Sequence, residues 1–338
     1  MRAHALSAIL LLLVLAGCAG STAPSAPGAA PPPKNEVREE ALQPLDHAPV
    51  VRGAAATWLT SEDLVLGVEI GGDARAYPLR IVEWHGVVND TIDRMPVALA
   101  WCRPCGSAAL YRTDTPKGTL TLASSGRFRE GDQLLVDRQT GTVWSQLTGA
   151  PVEGSLARSG VTLQPLPVVL TTWTSWFQVH PQTRVLSQET GAGHKYEAGG
   201  RPGTDPALPV SRRSPALPET ATVFGLALNG ASKAYLVDRV AKDGTANDQI
   251  GGQPVVVVAV PGDPRHRTVR AYERGDRTFA PGRNLMGLSF LTDQDGRAWR
   301  VNEGELASPD GRKLRRLPGS LTLWPGWFAA YPQTGVYP

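Results

Sequence analysis

The feature that most constrains this chain is that it repeats itself. The run Gly67-Val68-Glu69-Ile70-Gly71-Gly72-Asp73-Ala74-Arg75-Ala76-Tyr77 resembles Gly225-Leu226-Ala227-Leu228-Asn229-Gly230-Ala231-Ser232-Lys233-Ala234-Tyr235, at an offset of 158 (225 − 67). The same offset aligns Asn89-Asp90 with Asn247-Asp248 and Pro96-Val97 with Pro254-Val255. Gly141 and Trp144 align with Gly296 and Trp299 at 155 (296 − 141). Leu166-Pro167, Trp173, Trp176-Phe177 and Pro181-Gln182-Thr183 align with Leu317-Pro318, Trp324, Trp327-Phe328 and Pro332-Gln333-Thr334 at 151 (317 − 166). Three blocks in one order point to an internal duplication, with short deletions in the loops of the second copy. Copy one is expected over 59–190 and copy two over 220–338, joined by a Gly- and Pro-rich linker over 191–219.

Each copy reads as mainly β, an α+β fold with few short helices. Leu64 to Ile70, Val97 to Trp101, Ala108 to Tyr111, Thr119 to Ala123 and Leu134 to Asp137 are short apolar or β-branched runs separated by turn residues. Val255 to Val260 is continuously apolar, which predicts a strand buried on both faces. Short helices are expected over Leu79 to Val88, opened by Pro78, and over Trp173 to His180, ended by Pro181. The fold expectation is therefore two tandem, internally duplicated β-rich domains packed together.

The start of the chain follows a different logic. Met1-Arg2 precedes an apolar run from Ala8 to Ala16, too short to span a bilayer as a helix. The run ends in Leu15-Ala16-Gly17-Cys18, which resembles the bacterial lipobox, with Cys18 as the lipid acceptor. Residues 1–18 thus read as a lipoprotein signal peptide. Residues 19–58 read as a tether rich in Pro and Ala, including Pro31-Pro32-Pro33. This predicts a lipid-anchored protein of the cell envelope, whose membrane partner is reached through Cys18. In a Gram-negative cell, Ala19 after the cysteine favours the outer membrane, facing the periplasm. A net charge of +3, with no basic cluster beyond Arg312 to Arg316, argues against nucleic acid as a partner.

Comparing the copies separates shared scaffold from what needs another explanation. Asn89-Asp90 recurs and reads as a turn. The tryptophans recur and read as core. Asp137 to Gln146, with Thr140-Gly141 at its centre, reads as a hairpin. The thiols do not recur: at offset 158 Cys102 maps to Val260, Cys105 to Asp263 and His85 to Asp243, while at offset 151 His180 maps to Tyr331. Only copy one carries soft-ligand or redox candidates.

With Cys18 assigned to lipid, Cys102 and Cys105 are the remaining thiols. At this spacing they can chelate a soft metal ion such as copper or zinc, exchange disulfides, or form an inert staple. Metal binding leads, with Cys102, Cys105, His85 and His180 as candidate ligands and His194 as a further one. A thiol–disulfide protein using Cys102 and Cys105 is the second reading, and a binding or structural module with an inert disulfide the third. Trp101-Cys102-Arg103-Pro104-Cys105 looks like a thioredoxin active site. Gly106-Ser107 is a poor helix start, however, and no βαβ unit surrounds it. No phosphate-binding loop, dinucleotide fingerprint or His-Glu-x-x-His motif occurs, so the sequence leaves open whether the protein is an enzyme.

Taken together, Ala76-Tyr77-Pro78-Leu79-Arg80-Ile81, Trp84-His85, Val88-Asn89-Asp90, Pro96-Val97, the Cys-x-x-Cys-Gly of 102 to 106, Asp137-Arg138-Gln139-Thr140-Gly141, Trp144-Ser145-Gln146 and Thr171-Thr172-Trp173 with His180-Pro181 resemble a bacterial family, the domain of unknown function numbered 3179. The resemblance runs from about residue 60 to the end. It implies an exported, often lipid-anchored protein and brings no settled activity or cofactor. The family more often shows Tyr-Cys-Pro-Leu-Cys-Gly where this chain has Trp101 and Arg103-Pro104. Its Thr-Gly-Tyr-x-Arg segment stands here as Thr190-Gly191-Ala192-Gly193-His194.

Overall fold

Short apolar runs broken every few residues by Gly, Asp and Thr cannot build long helices, and they pair into sheets instead. The computed structural model describes residues 35–197, 208–260, 268–285 and 288–338. It is mainly β, and its α-helices are α1 (Leu79–His85), α2 (Trp173–Val179), α3 (Val237–Asp243) and α4 (Trp324–Ala330). The expected leader with Cys18 and residues 19–34 of the expected tether lie outside the described residues, as do residues 198–207 of the expected linker.

One sheet of the first half runs in the order Val169–Thr172, Leu64–Ile70, Asp73–Pro78, Arg184–Leu186, and the last pair is parallel. In the second half Ser320–Leu323, Thr222–Leu228, Ala231–Leu236 and Gly335–Val336 follow the same order, again with a parallel last pair. A second sheet pairs Gln164–Leu166, Ser107–Arg112, Met95–Cys102 and Val87–Ile92, matched by Lys313–Leu317, Val269–Glu273, Gln253–Ala259 and Thr245–Ile250. A third pairs Leu122–Arg129, Asp132–Asp137, Val143–Ser145 and Pro151–Glu153. Its counterpart in the second half is fused to the preceding sheet as one eight-stranded sheet.

The first half has one addition per sheet. Glu36–Arg38, Leu45–Asp46 and Val50–Arg52 each join an edge of a different sheet. These strands fall inside the stretch expected to be tether. From residue 36 the chain is therefore part of the folded body. Glu36 secures this entry: its buried carboxylate accepts from Arg127 and Arg129, and these guanidiniums hold it down at about 2.

Sequence-level boundaries mostly hold to within two residues. Leu64–Ile70 is as expected. The helix expected to reach Val88 stops at His85, because Gly86 takes φ 67° and its N–H turns back to Val82 O. Gly244 ends α3 in the same way at φ 77°. The run Thr119 to Ala123 is split, its ends falling in a small hairpin and in the strand Leu122–Arg129. Val255 and Val257 face one apolar cluster while Val256 and Val258 face another, so that strand is buried on both sides.

The recurring motif residues make recurring bonds. Tyr77 Oη donates to Asp90 at 2.7 Å, and Tyr235 Oη to Asp248 at 2.8 Å. The Asn89 amide grips Leu122 N and O, and the Asn247 amide grips Phe279 N and O. Trp144 Nε1 donates to Asp137 and Trp299 Nε1 to Asp293, both at 2.9 Å. Gly67 and Gly225 lie against the rings of Trp176 and Trp327, where a Cβ would come within 2.3 Å. Asn89-Asp90 and Asn247-Asp248, expected as turns, thus lie inside strands, where their side chains tie the sheets together. Val168 O accepts from Arg316, and Leu147 packs with Val223, Trp324 and Trp327, so the halves form one compact unit over residues 33–338.

Candidate functional site

Cys102 ends one strand and Ser107 begins the next, directly opposite it. The four residues between them, Arg103 to Gly106, therefore form a hairpin turn that carries Cys105. Gly106 closes it at φ 60°, its N–H donating to Arg103 O at 3.1 Å. Neither thiol sits at a helix start, so the dipole that activates a thioredoxin-type thiol is missing here. Cys102 and Cys105 are joined as a disulfide, with Cα atoms 5.3 Å apart. They are 0% and 2% exposed and pack against Phe128 and Leu208. Gly131 N donates to Pro209 O at 3.1 Å and Ser211 N to Glu130 at 2.7 Å, which fastens residues 209–211 beside Leu208.

The histidines do not join the sulfurs. His85, at the end of α1, is buried with both ring nitrogens engaged. A carbonyl can only accept, so Nδ1–H donates to Gln43 O at 2.9 Å; Nε2 then accepts from Tyr196 Oη at 2.7 Å. Tyr196 is in turn 2.5 Å from Thr190 Oγ1. Burial lowers the His85 pKa and keeps the ring neutral. His180 lies elsewhere: its ring packs on Trp176 at 4.1 Å and its Nδ1 is 3.7 Å from Glu69. His194 stacks on Trp84 at 4.6 Å, with Trp84 50% exposed. Among the described residues no three His, Cys, Asp or Glu side chains are grouped to hold a metal ion. The expected copper or zinc set of Cys102, Cys105, His85 and His180 is not assembled. The sulfurs are bonded to each other, and the His85 nitrogens are committed to Gln43 and Tyr196.

What the fold does bring together is the end of α1, the cysteine turn and residues 190–196. Glu83 is pushed up to about 7 by burial, against the nearby positive charge of Arg103 in the turn. Its Oε1 has no hydrogen-bond partner. In α3 the aligned positions are Ala241, Lys242 and Asp243, so Glu83, Trp84 and His85 belong to the first half alone. Sequence reasoning missed Tyr196, which lies 111 residues from His85. It also missed Asp132, which is fully buried and pushed up to about 7 although Ser145 Oγ and Leu147 N donate to it. For Glu83 a signal was present: a charge between Val82 and Trp84 on a seven-residue helix.

Over residues 43–334 the chain matches the model of a family described as a protein of unknown function, DUF3179. The chain belongs to the DUF3179 family. No curated protein and no solved structure matches it. The matched span of this DUF3179 member runs through both halves and includes the residues of the cysteine turn.

Proposed function

We propose that this protein is a lipid-anchored component of the cell envelope that acts as a non-catalytic binding module, with Cys102–Cys105 as its structural staple. One observation carries the reading: the two sulfurs are bonded to each other and sealed under Phe128 and Leu208, while both ring nitrogens of His85 are engaged by Gln43 and Tyr196. Thiol exchange needs a sulfur that a partner can reach, and Cys102 is 0% exposed. A soft-metal site needs further ligands, and the candidate ring of His85 is already satisfied on both sides. The anchor at Cys18 rests on the lipobox string and the Pro- and Ala-rich segment after it. Sequence offsets, matching strand orders and matching bonds support the two halves as copies of one unit.

The test is made on protein isolated from envelopes, acid-quenched, alkylated and weighed intact. The expected result is an acylated chain with no alkylated cysteine and no stoichiometric zinc or copper. Two alkylated thiols, or one bound metal per chain lost on Cys102→Ser, would replace this reading with an exchange or a metal centre.

A further inference from the structure

Beside the Asn89-Asp90 strand lies a cleft of about 430 Å³, within the size range of small-molecule sites. Its lining includes Asp46, His47, Thr91, Thr113, Thr119 and Arg138. The second half has the same Asn-Asp bonds but, among the described residues, lacks three of the parts that build these walls. Leu45–Asp46 flanks the Val87–Ile92 strand in the first half, whereas Thr245–Ile250 is the open edge of its sheet. A hairpin of Asp114–Thr115 and Gly118–Thr119 stands in the first half, where the second runs by a short turn from Glu273 to Phe279. Thr121 N donates to Gln139 Oε1 as Thr278 N does to Gln294 Oε1. By that match, Arg138 is one residue added between Asp137 and Gln139. Scaffold needs explain none of these additions, since the second half folds without them, yet all three end at one cleft.

We propose that this cleft binds a neutral saccharide. The proposal rests on the binding-module reading and names its ligand site and ligand class. Charges in the wall are already matched: Arg138 pairs with Asp46, and Asp90 takes the Tyr77 hydroxyl and lies 4.0 Å from Arg75. A bare anion would meet two carboxylates and a bare cation would meet Arg138, so neither sign is favoured. Threonine hydroxyls both donate and accept, as sugar hydroxyls require. Ala48, Val97 and Leu120 give the same cleft an apolar floor for the C–H face of a ring. His47 holds φ 54° at the edge, a conformation uncommon outside glycine.

The test is saturation-transfer NMR on the full-length protein in a sugar-free detergent. Glucose, N-acetylglucosamine, cellobiose and glucose 6-phosphate serve as probes. Saturable binding of a neutral sugar, stronger than that of the phosphate, is expected. Thr113→Val and Arg138→Ala should each weaken it about tenfold, the worth of one lost hydrogen bond. Thr119→Ala, in the exposed hairpin, stands in if the buried Thr113 variant fails to fold. Trp84→Ala should leave binding unchanged. No saturable signal from any neutral sugar, or binding indifferent to all the cleft variants, overturns the proposal. Failure here leaves the sealed disulfide untouched, because that reading is tested by cysteine alkylation.

Discussion

Removing both sulfurs, as in Cys102→Ala with Cys105→Ala, separates a staple from a working centre. The bridge closes a loop of only four residues, so chain entropy assigns it about 2 kcal/mol. Each sulfur is also buried, at 0% and 2% exposure, and deleting a buried group of this size costs roughly another 1 kcal/mol. The expected loss is therefore about 4 kcal/mol. Unfolding entropy near 2.1 cal/mol/K per residue, over roughly 300 folded residues, converts this to a fall in Tm of about 6 °C. Calorimetry on full-length wild type and double variant reads the shift directly. A variant that melts within a degree of wild type would refute the staple and leave the cysteines without a structural reason.

Three further outcomes follow from other parts of the molecule. Glu303 is buried between Arg270 and Arg316, whose charges hold it down at about 2; Glu303→Gln should cost about 3–5 kcal/mol in urea unfolding by stranding two buried guanidiniums. Glu83, raised from 4.5 to about 7 by burial, keeps in the folded state a proton that the unfolded chain releases, so it lowers stability as pH rises through that window. Glu83→Gln should thus melt higher than wild type at pH 8 and alongside it at pH 4, and a constant difference at both pH values would count against a carboxyl whose charge is disfavoured by partial burial. Cys18→Ser should abolish labelling by radioactive palmitate and release the protein from membranes, while continued labelling would remove the anchor from the account.

Much of the scaffold was legible because its signals are local. A seven-residue strand such as Leu64–Ile70 announces itself by composition, whereas the helix end at Gly86 was overrun by the expected helix to Val88 and the helix before Gly244 was not anticipated. The sequence similarity of the two halves pointed to shared structural residues, and the bonds of Asn89, Asp90 and Trp144 do recur in the second half, though Asn89-Asp90 was expected as a turn and sits in a strand. Long-range partners were not legible. Nothing near His85 in sequence announces Tyr196 or Gln43, and without them a buried neutral imidazole reads as a free ligand. The strands at residues 36–52 were hidden for another reason. They are two or three residues long and form only as additions to existing sheet edges, so their composition resembles a linker. Cys102–Cys105 was visible as a pair, but its burial depends on Phe128 and on Leu208, which the chain reaches only later.

The most direct test of the sealed staple is the rate at which dithiothreitol reduces Cys102–Cys105 in the folded full-length protein, compared with the rate in urea. A buried bridge must wait for the structure to open, so reduction in the native state should be on the order of a hundredfold slower, the factor set by ~2.7 kcal/mol of opening free energy. Equal rates in the two states would mean that the sulfurs are already open to solvent, and the account would fail at its centre.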